Sequence, residues 1–259
     1  MKKLFYIAPI ALLLSLLPAA CSKDEATTEA GEGRAAFVCE PDLSVEALTR
    51  AEEGRVQLPI SPLPAAGTFK LTITPQTGTP LVYAPFSTYD QPMLAAGNYT
   101  AVFELGDPEA AESSTAYCFR GEAAFTIRAS KTETVTVAPK LINSALRLQT
   151  TEWFDLYYSE AEFTVSTASN NSFLFTPTSG QTIYVKAGTK IRLRGKARKQ
   201  NGVTVAFPEH EIGVTKATTL HTIRIDASEA GRKTIRITLG TVDDMIEVPE
   251  EVIELNPEA

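Results

Sequence analysis

From Ala35 onward, apolar and polar residues alternate singly along short runs, and Gly, Pro, Asn or Asp break those runs about every 8–12 residues. Examples are Thr68-Phe69-Lys70-Leu71-Thr72-Ile73-Thr74, Thr132-Glu133-Thr134-Val135-Thr136-Val137 and Lys233-Thr234-Ile235-Arg236-Ile237-Thr238-Leu239. Side chains that change face at every residue suit a pleated strand with one side in a core and the other in water. Val, Ile, Thr, Tyr and Phe dominate the runs, and no helical stripe of three turns accompanies them. The expected fold class is all-β, made of antiparallel sandwiches.

A weak internal repeat sets the number of units. Ala96-Gly97-Asn98-Tyr99 ahead of one strand matches Ala187-Gly188-Thr189-Lys190 ahead of another, and Phe125-Thr126-Ile127 with Val135 and Val137 matches Ile212-Gly213-Val214 with Ile223 and Ile225. Both offsets are close to about 90 residues, the size of one immunoglobulin-like domain. The pattern predicts two tandem sandwiches, 35–139 and 140–242, divided at Pro139-Lys140.

Ahead of them, Lys2 and Lys3 precede a largely apolar run from Leu4 to Leu17, then Pro18-Ala19-Ala20-Cys21. That run is too short to cross a hydrocarbon core of about 30 Å and reads as a signal peptide over 1–20. Small residues before a cysteine resemble the lipobox of bacterial lipoproteins, although Pro18 stands where that family prefers Leu. The resemblance implies acylation of Cys21 and attachment to the outer membrane. Lys23-Asp24-Glu25 resembles the export tag that sends Bacteroidetes lipoproteins to the cell exterior. Residues 21–34 are polar and small and read as a leash, with a mean span of roughly 20 Å.

The net charge of −7 argues against nucleic acid, which needs a basic face to displace counterions. With two histidines, no Gly-x-Ser-x-Gly and no Cys–His constellation, the chain offers no catalytic, metal or cofactor signature. His210-Glu211 lacks the second histidine of a zinc-protease helix, and His221, alternating with Ile223 and Ile225, reads as a core or edge residue. Once Cys21 is committed to lipid, Cys39 and Cys118 are either a disulfide or two separate buried thiols.

Lys190, Arg192, Arg194, Lys196 and Arg198 alternate with apolar or small residues, so one strand face carries a basic ladder, extended by Arg224 and Arg236 if their strands adjoin. It is either an anion-binding face, for an acidic glycan or a partner's acidic tail, or a solvated sheet face. Trp153, Phe154, Tyr157 and Tyr158 form one or two helical turns that plug a sandwich end or stack on sugar rings. Residues 243–259, rich in acids, read as a tail that is either a last edge strand with a frayed end or a segment that pairs with a neighbour's sheet.

The lipobox, the acidic tag, Thr49-Arg50-Ala51, the L-x-A-G-x-Y turn at Leu94–Tyr99 and the F-x-I and V-x-V pair across 125–137 occur together. As a set they resemble a family of Bacteroidetes two-domain surface lipoproteins, themselves similar to fimbrillin-type proteins with transthyretin-like sandwiches. The resemblance implies a structural or adhesive role, with fimbrial or other surface proteins as partners and no cofactor. A glycan- or ligand-binding accessory module is the alternative. It also implies that a trypsin-like protease can cut between Arg50 and Ala51, freeing the strand Ala35–Glu40 unless a Cys39–Cys118 bridge retains it.

Overall fold

The computed structural model describes residues 31–48, 53–227, 234–239 and 242–247. Cys21, the Lys23-Asp24-Glu25 tag, Arg50, Ala51 and the signal peptide lie outside the described residues. The first strands are β1 (Glu32–Cys39), β2 (Ser44–Leu48), β3 (Glu53–Gln57), β4 (Lys70–Pro75) and β5 (Leu81–Tyr83). There follow β6 (Leu94–Ala95), β7 (Gly97–Leu105), β8 (Phe119–Ile127), β9 (Thr132–Val137) and β10 (Lys140–Leu141). Next come β11 (Ser144–Thr150), the single described α-helix α1 (Glu152–Tyr157), β12 (Tyr158–Thr167), β13 (Ser172–Phe175) and β14 (Thr182–Val185). The last are β15 (Lys190–Lys199), β16 (Thr204–Val214), β17 (Thr219–Ala227), β18 (Thr234–Leu239) and β19 (Val242–Glu247). The chain is all-β, as its alternation requires. β1 starts at Glu32, inside the stretch read from sequence as leash, because Gly31 and Gly33 let the chain press against the β8–β9 turn. A Cβ on Gly33 would lie 2.3 Å from the Arg128 carbonyl oxygen.

The strands fall into two sets with one topology. In the first set β1 lies between β6 and β9, and β5-β4-β7-β8 form a separate antiparallel sheet. In the second set β11 lies between β14 and β17, and β13-β12-β15-β16 form the separate sheet. The sheets are mixed rather than wholly antiparallel, a correction to the sequence expectation. β1 pairs with β9 and β11 with β17 in parallel, since the strands of each pair are joined by a long crossover through the other sheet instead of a hairpin.

Alternation places Leu71 and Ile73 of β4, Ala101 and Phe103 of β7, and Phe69, all with no exposure, in the first core. Phe154, Phe163, Val165, Phe175, Ile191 and Ile223 fill the second. Gly195 breaks the apolar pattern of β15 for a reason of space. It pairs with Phe163 on one side and Phe207 on the other, whose rings stack at 5.6 Å, and a Cβ there would lie 2.6 Å from the Phe163 ring.

The connection between β1 and β4 forms the β2–β3 hairpin, and β2 leaves its own set to pair in parallel with Thr219–His221 of β17. Beyond that point the same edge of β17 is taken by β18, from Ile223 to Ala227. The acidic segment begins in β19, which pairs along β18.

Candidate functional site

Two places concentrate buried polar groups or ordered surface chemistry: the seam between the strand sets and the end of the second set away from the seam. At the seam, residues 106–118 join β7 to β8 and cross to the second set. Ser113 and Tyr184 exchange backbone hydrogen bonds of 3.2 and 2.8 Å. Next to them Glu112 is buried, and its carboxylate accepts from the Thr167 hydroxyl (2.5 Å), the Asn171 amide (2.9 Å) and the Lys186 backbone N–H (3.0 Å). Such a buried carboxylate is tolerated because each hydrogen bond replaces one lost from water. Glu109 adds an exposed pair to Lys186 at 2.8 Å, which raises the lysine's pKa through that hydrogen bond. Tyr117 and Tyr184 meet edge to face, and Leu141, Ala145, Tyr184 and Leu220 pack into the first core, so the seam is apolar behind its polar rim.

His221 also lies at the seam. Its Nε2 accepts from the Lys216 N–H at 2.9 Å, and burial drives its pKa down to about 4, with the nearby Lys216 charge acting in the same direction. It is a satisfied core histidine, and its neutral imidazole is an acceptor. Among the described residues no group of three or more His, Cys, Asp or Glu is placed to hold a metal.

Cys39 and Cys118 are both buried free thiols. Cys39 ends β1 beside Val137, while Cys118 donates its N–H to Asn143 at the seam. Burial raises both thiol pKa values, Cys39 to about 11, which keeps them protonated and unreactive.

The ladder cations Lys190, Arg192, Arg194, Lys196 and Arg198 share one exposed face of β15. Four of them face a carboxylate of a neighbouring strand: Lys190–Glu211 (3.1 Å), Arg192–Glu209 (3.6 Å), Lys196–Glu162 (3.1 Å) and Arg198–Glu160 (3.6 Å). Alternating signs across three strands give a nearly neutral face, and Arg194 alone of the five has no carboxylate within reach among the described residues. Sequence periodicity could place the cations on one face but not the acids beside them, because pairing partners come from register. Arg224 and Arg236 do not widen the ladder: they lie on β17 and β18, in a different sheet.

At the end of the second set away from the seam, α1 begins at Thr151, whose hydroxyl accepts from the Phe154 N–H at 3.2 Å. The aromatic run divides. Phe154 and Tyr158 are buried against Phe163 and Phe207, whereas Trp153 is 59% and Leu156 57% exposed. Beside α1 a cavity of about 480 Å³ is lined by Asp155, Ser159, Glu160, Glu162 and Thr176 among others. Glu160 is held at φ 48° where β12 bulges between Ser159 and Glu162.

The chain is similar to several solved structures. A candidate cell adhesion protein from Bacteroides fragilis is 10% identical, with 80% of this chain and 96% of that chain covered at a TM-score of 0.41. A fimbrial assembly protein from Parabacteroides distasonis is 7% identical, with 69% and 90% covered at 0.40. The fimbrial anchor protein Mfa2 from Porphyromonas gingivalis is 11% identical, with 84% and 100% covered at 0.36. No curated protein matches the sequence. The family profile of a domain of unknown function, DUF4493, matches residues 40–257, which hold every described strand except β1, and the chain belongs to that family.

Proposed function

We propose that this chain is a lipid-anchored protein of the outer-membrane exterior that serves as a structural or adhesive spacer and carries out no catalysis. Residues 1–20 are its signal peptide, Cys21 its acylated residue and Lys23-Asp24-Glu25 its export tag. The two strand sets are tandem immunoglobulin-like or transthyretin-like sandwiches. Several acyl chains, each methylene contributing about 0.8 kcal/mol, make such attachment effectively permanent.

The supporting observation is the direction of the strands relative to the seam. β1 starts at the end of the first set farthest from the seam, beside Ala95 and the β8–β9 turn, and runs toward it. Tension entering at Glu32 therefore runs along β1, and the pairs from Arg34↔Thr132 to Cys39↔Val137 resist it together, in shear. An unzipping geometry would load them one at a time. β2 then passes the load to β17 through a second parallel ladder. A protein that holds a partner away from a membrane needs such a path.

Cleavage between Arg50 and Ala51 leaves β1 paired with β6 and β9, so a nicked chain keeps its fold. The partners that fit this role are fimbrial or other surface proteins. The test is a cross-linked pull-down of the native protein from its own outer membrane. Co-recovery of filament or other surface structural proteins is expected; recovery of a polysaccharide-uptake complex in their place would replace this reading with an accessory binding module.

A further inference from the structure

We infer that Glu32–Leu48 is a load-bearing strap that fastens the leash end of the chain to both strand sets at once. This deepens the spacer reading and rests on it only for the point at which load enters.

One stretch of chain, running in one direction, is paired in parallel from the outer end of the first set into the second. β1 pairs with β9 from Arg34↔Thr132 to Cys39↔Val137. The pairing does not stop where β1 ends. Glu40 N–H donates to the Val137 carbonyl (3.0 Å) and Asp42 N–H to that of Pro139 (2.8 Å), and Asp42 forms a parallel bridge with Lys140. Past the seam, Glu46 N–H donates to the Thr218 carbonyl (3.0 Å), and β2 follows β17 as far as Leu48↔His221. The track under the strap is itself stitched across the seam. Thr218 donates its hydroxyl to the Leu141 carbonyl (2.8 Å) and its N–H to that of Asn143 (3.0 Å).

The strap has no second register into which it can creep. Ala35, Cys39, Val45 and Ala47 are buried along its inner face. A one-residue slip toward the leash would turn them outward. It would also bring Pro41, which has no N–H, to the place from which Glu40 donates to Val137. A two-residue slip keeps the faces but drives Phe37 into the space of Ala35, which has no exposure.

Load that enters at Glu32 and leaves through the second set therefore has to break the pairs together. They open singly only when Glu32 is drawn sideways from Lys131, because both lie at the same end of the ladder. There Ser130 N–H donates to the Glu32 carbonyl (2.7 Å) and Arg34 N–H to that of Lys131 (2.8 Å). The same hydrogen bonds thus resist strongly along the molecule and weakly across it.

Optical tweezers read this directly, since forced unfolding reports the barrier along the pulled direction. Full-length protein in detergent carries DNA handles on azide-bearing residues. They stand in place of Ala26 and the exposed Ala217 for pulling along the molecule, and of Ala26 and the exposed Lys131 for pulling across it. Rupture along the molecule is expected at several times the force needed across it. Glu46→Pro removes the donor to Thr218 at a residue whose side chain is exposed. It should lower the force along the molecule and leave the force across it unchanged, which also shows that the first set is still folded. Glu46→Ala keeps the N–H and should match the parent in both directions. Equal forces in the two directions would overturn the strap while leaving the surface location standing. Glu46→Pro behaving like Glu46→Ala would overturn its fastening to the second set.

Discussion

His221 shows how one buried residue couples folding to acidity. Its imidazole titrates near the usual 6.5 in the unfolded chain but at about 4 in the fold, chiefly because burial disfavours the cation. Between those values the unfolded chain binds a proton that the folded chain refuses. Stability from this group is therefore complete above about pH 6.5, declines as pH falls toward 4 and is flat below, with a total loss of roughly 3 kcal/mol. Protonation also removes the acceptor for the Lys216 N–H. Asp42, held low by hydrogen bonds from Ser44, and Glu104, held low by Lys70, add a further loss that begins near their ordinary values of 3.8 and 4.5 and grows as pH falls toward their depressed folded values. Denaturant melts at successive pH values should show the slope between 6.5 and 4, and His221→Gln should flatten that part of the profile. An unchanged slope in the variant would assign the effect to other groups.

At the scale of elements, the segment joining β7 to β8 is the fastener of the seam. Glu112→Ala strips the acceptor from three donors, those of Thr167, Asn171 and Lys186, inside a buried contact. The expected cost is about 3 kcal/mol, and calorimetry should show one unfolding transition splitting into two as the strand sets lose their coupling. A single transition at the parent temperature would mean that the β2–β17 ladder and the shared apolar contacts suffice. This segment was illegible in the sequence for a physical reason. Alternation marks residues that face a local core, and Glu112 reads there as one more loop acid in Pro108-Glu109-Ala110-Ala111-Glu112. Strands such as β4, β9 and β15 were legible because each carries its own alternation over six or more residues. The departure of β2 to β17 left no trace, since a strand's preferred neighbour is decided by edges that form only in the folded chain. The helical turn at Trp153 was visible as a cluster, but its division into buried Phe154 and exposed Trp153 follows from the orientation of a single turn.

For the whole molecule, the two strand sets share one topology. That topology orders the molecule from Glu32 at one extremity, through the seam, to α1 at the other. In the proposed function that axis points from membrane to partner, with α1 farthest from the lipid. The claim rests on where the chain is held and on which side of the membrane it stands. The direct measurement is protease digestion of intact cells carrying either the natural chain or Cys21→Ser, followed by blotting for the second strand set. The natural chain should be digested while a periplasmic marker survives, and Cys21→Ser should leave the surface fraction. Protection of the natural chain until the outer membrane is broken would contradict it.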